Sequence, residues 1–136
     1  MPELDLNYAA IIVSVIASMI LGMIWYSPAM FGNMWMKLSG LKKEDIKKEE
    51  ANKGMFASAV AALVMAAVLS QFVILTSADT FDEGAKVAFW LWLGFVATVG
   101  VSEYIYTKRP AKLFVINMGY HLASMLLMGG ILASWS

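Results

Sequence analysis

The sequence predicts an all-α integral membrane protein, a four-helix bundle with a short amphipathic cytoplasmic segment after the first helix. Hydrophobic residues make up 60% of the 136-residue chain, whereas a soluble domain is about 45–50% apolar. The chain also holds four apolar stretches of about 20 residues, the length that a helix needs to cross a bilayer core of about 30 Å. A soluble chain this short has no core large enough to bury the excess, so lipid is the expected solvent.

The four apolar stretches contain no internal proline, and each is interpreted as one spanning helix. We expect a single transmembrane domain over residues 1–136, with spans at about 7–26, 53–76, 84–106 and 112–134. The chain begins with an acidic segment and a long apolar run, which favours a retained first span over a cleaved signal peptide.

The connection between the first two spans has an apolar half and a charged half. Apolar residues recur at helical spacing over residues 28–38, which predicts a short interfacial helix; the alternative is a plain loop with a tryptophan anchor. Ser39-Gly40 interrupts this pattern. Opposite charges then fall at spacings of three and four over residues 41–52, with Glu44 and Asp45 each placed to pair with Lys48, which predicts a solvated helix leading into the second span.

The distribution of positive charge predicts the orientation. Nine of the ten lysines and arginines flank the first and third connections, and only Lys86 lies at the second. The positive-inside rule therefore places these two connections in the cytoplasm and both termini outside. Trp25, Tyr26, Tyr104 and Tyr106 then lie at the inner ends of their spans, where aromatic belts are expected.

Small residues recur every fourth position in the first two spans. They are Ala10, Ser14, Ser18 and Gly22 in the first, and Gly54, Ser58, Ala62, Ala66 and Ser70 in the second. Such stripes let helix backbones approach closely in lipid, so we expect these two helices to pack against each other. The spacing leaves open whether each stripe faces its own chain or a second copy in a homo-oligomer.

Several motifs resemble those of a known family. They are the residues 22–28 (GMIWYSP), followed by Phe31-Gly32 and Trp35, and the later stretches 92–97 (WLGFVA) and 109–121 (RPAKLFVINMGYH). The chain resembles, over nearly its whole length, a family of small bacterial membrane proteins catalogued only as a domain of unknown function. The resemblance implies four transmembrane helices in a bacterial inner membrane, and it implies no activity.

Three polar residues within the spans are candidates for a ligand or ion pathway. Glu103 is the only acid well inside a span, and Asn117 and His121 lie four residues apart on one helix face. Placing an ionisable residue inside a membrane costs free energy, so such a residue is by default expected to have a function. A carboxylate, an amide and an imidazole in a row can relay a proton or hold a polar ligand. The alternative is structural: Glu103 pairs with a nearby cation, and the other two bond to neighbouring helices.

The turn after the first span is the second candidate. Pro28 ends the span, and Trp25, Tyr26 and Trp35 are placed to anchor at head-group depth. One interpretation of this turn is therefore a helix end with an aromatic anchor. The other is a gate or a lipid head-group site at this interface. Ser27 has no base beside it in the sequence, so we do not assign it as a nucleophile.

Composition narrows the remaining function classes. The chain has no cysteine and a net charge of zero, so we expect no thiolate metal site and no nucleic-acid partner. One histidine and one intramembrane acid are fewer ligands than a zinc site uses, and no cofactor motif is present. We expect a non-enzymatic structural or interaction protein that contacts membrane lipid and forms homo-oligomers. The alternative is a small transporter or proton-coupled channel that uses Glu103, Asn117 and His121; a lipid-modifying or quinone enzyme has the least support.

Overall fold

The structure is a computed structural model that describes residues 6–40 and 47–135, and it has no β-strand within these residues. Its elements in chain order are α1 (Tyr8–Trp25), α2 (Gly32–Ser39), α3 (Lys48–Leu75), α4 (Phe81–Leu91), a π-helical segment (Trp92–Ala97), α5 (Thr98–Thr107) and α6 (Ala111–Ser134).

Four helices are long and apolar enough to cross a membrane: α1, α3, α6 and the continuous helix Phe81–Thr107. The predicted all-α fold with four spanning helices is therefore confirmed. The third spanning helix begins at Phe81, three residues before the predicted span, because its first turn is capped. Thr80 Oγ1 accepts from the Glu83 N–H at 3.2 Å, and the Glu83 carboxylate accepts from the Asp79 N–H at 3.0 Å.

The short helix predicted after the first span is present as α2, and it begins later than the pattern indicated. Residues 28–31 form a turn, in which the Met30 N–H donates to the carbonyl of Ser27 at 3.0 Å. The helix starts at Gly32 and ends before Gly40, which has a left-handed backbone with φ +73°. Trp35 is half-buried and Lys37 is exposed, so α2 is amphipathic.

The charged stretch before the second span is described only in part. Lys48 begins α3, so residues 48–52 form its first turns. The predicted ion pairs of Glu44 and Asp45 lie outside the described residues. Within residues 6–40 and 47–135 the one ion pair is Lys86–Asp82, at 3.1 Å on the surface of α4.

Helix α6 is the centre of the bundle, and it packs most extensively on α4. Gly84 and Ala88 on α4 face Gly129 and Ala133 on α6. A Cβ on Gly129 would stand 2.5 Å from the carbonyl oxygen of Gly84 and 2.8 Å from the Cβ of Ala88. The two backbones are therefore in direct contact, as small residues four apart permit.

The small-residue stripe of α1 is turned into the protomer. Ala10, Ser14 and Ser18 are buried, and α1 contacts both α3 and α6. The predicted contact of α1 with α3 is present, since Ala10 and Ala66 belong to one buried cluster with Met128 of α6. The prediction named α3 as the neighbour of the α1 stripe, but α6 also covers much of this stripe.

The stripe of α3 is buried over only part of its length. Ala62, Ala66 and Ser70 are buried, whereas Gly54 and Ser58 are exposed. A Cβ built on Gly54 would have no atom within 4 Å. Gly54, at the start of this stripe, is therefore free of packing against the described residues.

A feature that the sequence did not predict lies in the middle of the third spanning helix. Residues Trp92–Ala97 form a π-helical turn, a conformation that is rare and usually limited to a single turn. The Thr98 hydroxyl donates to the carbonyl of Gly94 at 2.8 Å. On the side facing α6, the Trp92 indole N–H donates to the carbonyl of Met118 at 3.2 Å.

Candidate functional site

The turn after α1 folds back on itself and directs its aromatic residues toward α6. The Phe31 N–H donates to the carbonyl of Trp25 at 3.1 Å, and the Gly32 N–H donates to the carbonyl of Ser27 at 2.9 Å. A Cβ on Gly32 would overlap the backbone of Tyr26 and Ser27. Only glycine therefore fits this turn. The Ser27 hydroxyl donates to the carbonyl of Ile24 at 2.7 Å, which is a local helix-end bond.

Trp25 joins this turn to α6. Its indole N–H donates to the carbonyl of Ile116 at 3.1 Å. Its ring packs on Phe31 with centroids 5.0 Å apart. A Cβ on Gly119 would stand 3.2 Å from the indole, so the glycine leaves room for the ring. The predicted head-group anchor is thus also a helix–helix contact.

Tyr26 lies at the centre of the aromatic cluster. Its hydroxyl donates to Oδ1 of Asn117 at 2.8 Å. Its ring makes edge contacts with Trp35 and Tyr120, with centroids 6.0 and 5.5 Å apart. Two separately predicted candidates, the aromatic turn and Asn117, therefore form one site.

A hydroxyl network continues from this cluster along the interface of α1 and α6. The Tyr120 hydroxyl donates to the carbonyl of Ser18 at 3.1 Å. The hydroxyls of Ser18 and Ser124 are 2.7 Å apart. One turn further along α1, Ser14 is fully buried, and its Oγ has no hydrogen-bond partner among the described residues.

Sequence reasoning missed Tyr120, Ser18 and Ser124 as site residues. A signal was present: Ser124 follows Asn117 by seven residues, so both lie on one face of α6. Ser18 lies in the α1 stripe, where a serine was interpreted as a packing residue.

Two cavities flank the contact between Tyr26 and Asn117. The larger, of about 660 Å³, lies between α1, α2, α3 and α6; we call it the methionine cleft. Its apolar lining includes Met19, Met23, Met36 and Met55. Tyr26, Asn117 and Tyr120 form its polar wall, and Ser58 of α3 also lines it. Methionine side chains are flexible and polarisable, which suits a surface that adapts to an apolar molecule.

The smaller cavity, of about 300 Å³, lies between α2, α5 and α6. We call it the Glu103 cavity, and its lining includes Glu103, Arg109, Trp35 and Asn117. Trp35 and Asn117 line both cavities and separate them. Glu103 is exposed, and no ion pair with a nearby cation is present among the described residues.

His121 is set apart from the other two pathway candidates. The structure brings Glu103 and Asn117 to one cavity, whereas His121 is in the lining of neither cavity. Its ring lies beside that of Tyr120, with centroids 5.5 Å apart. No group of three His, Cys, Asp or Glu side chains that could hold a metal ion is found in the described residues.

These features define a multi-pass membrane protein, a four-helix bundle with an aromatic and amide site at the end where α2 lies. The chain belongs to the family described as "Protein of unknown function (DUF1761)", whose model matches residues 9–133. The predicted membership of a family of unknown function is thereby confirmed. No curated protein and no solved structure matched the chain.

Proposed function

We propose that the protein is a non-enzymatic interaction protein of the bacterial inner membrane, and that its methionine cleft binds a small amphipathic molecule. One observation carries the proposal: the cleft combines methionine-rich apolar walls with a single polar wall of Tyr26, Asn117 and Tyr120. Binding sites for small molecules have this composition and enclose about 300–1,000 Å³. The volume of about 660 Å³ falls in that range.

The position of the cleft supports uptake from the bilayer. Met23 and Met55, on α1 and α3, line the cleft and are 65% and 56% exposed. A lipid-soluble molecule can therefore reach the cleft between these helices without crossing water. Because none of the side chains that line the cleft is charged, the molecule gains little from carrying a charge at this depth.

Native mass spectrometry of the full chain, released in a mild detergent, tests this proposal. We expect a retained small molecule in the wild type and its loss in Ser58→Trp, which fills the cleft. The matched control is Ala61→Trp, because Ala61 is exposed on the same helix and does not line the cleft. A wild type that retains nothing, or equal retention in both variants, contradicts the proposal.

Homo-oligomerisation is part of the same proposal, and it rests on Gly54 at the exposed start of the α3 stripe. Gly54 is exposed, and a Cβ there would have no described atom within 4 Å, so this position can meet a second copy. Ser14→Leu or Ala62→Leu would not test this contact, because both residues are buried inside the protomer. Gly54→Leu should reduce cross-linking between copies, whereas Ala61→Leu should not; equal cross-linking contradicts the contact.

A proton-coupled transporter is the second candidate, and one observation favours it. Glu103 and Asn117 line one cavity beside Arg109, so a carboxylate and an amide are within reach of one ligand. The protein reconstituted in liposomes should then carry a pH-dependent flux that Glu103→Gln abolishes. Unchanged flux in Glu103→Gln excludes this function.

A further inference from the structure

The hydrogen bond from Tyr26 determines which groups of Asn117 remain free. The Tyr26 hydroxyl donates to Oδ1 of Asn117 at 2.8 Å. The amide nitrogen carries two N–H donors. Neither of them donates to an acceptor in the described part of the chain. Asn117 lines both the methionine cleft and the Glu103 cavity, and its N–H donors have no hydrogen-bond partner among the described residues.

The other polar groups of the wall have their hydrogens engaged. The Tyr26 hydroxyl hydrogen is directed to Asn117, and that of Tyr120 to the carbonyl of Ser18 at 3.1 Å. None of the side chains that line the cleft is charged. The wall therefore presents uncharged N–H donors in apolar surroundings, and the complementary group is an uncharged hydrogen-bond acceptor.

We propose that the methionine cleft binds an uncharged, lipid-soluble molecule through a carbonyl oxygen, which accepts from the amide N–H of Asn117. Tyr26 is a positioning residue, because its hydroxyl holds the amide oxygen and leaves the amide nitrogen to the ligand. The apolar part of the ligand lies against Met19, Met23 and Met55. This inference rests on the proposed function and adds the chemical class of the ligand.

Two kinds of membrane molecule carry such a carbonyl next to an apolar chain: neutral acylglycerols and quinones. An ester carbonyl and a quinone carbonyl make the same hydrogen bond, so the geometry of Asn117 selects the group that both share. The experiment distinguishes the two sources by competition.

The test uses two photo-cross-linking probes with the purified full chain in lipid nanodiscs. One probe is an alkyl diazirine that carries a ketone in its chain, and the other has a methylene group in place of the ketone. Cross-linked peptides that contain Met23 or Met55 are quantified by mass spectrometry. We expect the ketone probe to label these peptides about two- to tenfold more than its partner, the range that one hydrogen bond supplies.

Asn117→Leu should remove this preference, since leucine has a similar volume and no donor. Tyr26→Phe should weaken it while the N–H donors remain. Competition in the wild type does not depend on the folding of any variant. Dioleoylglycerol or a short-chain quinone should suppress labelling by the ketone probe more than dodecane does, and the stronger competitor identifies the source.

The possible failures are distinct. Equal labelling by both probes, or equal competition by dodecane, overturns the carbonyl inference and leaves the cleft as a site for apolar molecules. Absence of labelling at Met23 and Met55 with either probe overturns both this inference and the proposed function.

Discussion

The contact between α4 and α6 depends on the absence of a side chain at Gly84, and Gly84→Ala should destabilise the bundle. A Cβ at this position would overlap the backbone carbonyl of Gly129 and stand 2.5 Å from the Cβ of Ala133. Neither atom belongs to a flexible side chain, so no rotamer change relieves the overlap and the helices must separate. Extra carbon in a packed site costs about 1–3 kcal/mol, and we expect a loss of that size.

The same methyl group should act differently at two other glycines. At Gly54 a Cβ meets no atom within 4 Å, and alanine is favoured over glycine inside a helix by about 0.5–1 kcal/mol. Gly54→Ala should therefore be slightly stabilising. At Gly130 the three atoms nearest to the Cβ would all belong to the ring of Phe81, which is 49% exposed and can turn away. Gly130→Ala should fall between the other two.

Unfolding in mixed micelles of increasing dodecyl sulfate content, followed by tryptophan fluorescence, measures this order. The free energies of unfolding should decrease from Gly54→Ala through Gly130→Ala to Gly84→Ala. If Gly84→Ala unfolds at the same dodecyl sulfate fraction as Gly54→Ala, the backbone contact of α4 and α6 does not exist in the bilayer-like state.

Three further predictions can be tested, two by unfolding in the same micelles and one by labelling whole cells. Ser14→Ala should leave the free energy of unfolding unchanged or raise it by up to about 1 kcal/mol, because its buried Oγ has no partner among the described residues. Ser18→Ala should lower it by about 0.6 kcal/mol through loss of the bond to Ser124; the opposite order in micelle unfolding contradicts this. Because the chain has no native cysteine, single cysteines test the orientation. A membrane-impermeant maleimide should label Thr80→Cys in intact cells and not Lys108→Cys; the reverse labelling refutes both termini being outside.

The spanning helices and α2 were predictable because each depends on local composition. A helix of about 20 apolar residues is visible in a window of that length. The apolar spacing over residues 28–38 is visible within about three turns of helix. Tyr26 and Asn117 were also identified, each from its own surroundings. Their hydrogen bond joins residues 91 positions apart, and nothing in either segment specifies the other as its partner.

The identity of helix neighbours was less predictable than the helices themselves. Spacing shows that Ser14 and Ser18 share a face, but it does not show which helix covers that face. In the structure Ser18 meets Ser124 of α6. Gly129 and Ala133 are four residues apart, as in the stripes of the first two spans. This pair was missed because Gly130 directly follows Gly129, so the spacing of four is not evident in the sequence.

The π-helical segment explains why the packing of the third spanning helix escaped prediction. Gly84 and Gly100 are 16 residues apart, so in a regular α-helix they would point about 160° away from each other. Both nevertheless face α6: a Cβ on Gly84 would overlap Gly129, and one on Gly100 would stand 3.2 Å from the ring of Phe114. The wider turn of a π-helix rotates the chain less per residue, so Trp92–Ala97 brings the two glycines toward one side. The segment therefore lets a single helix pack on α6 at both ends, and it helps to position the helix that carries Glu103 against its cavity.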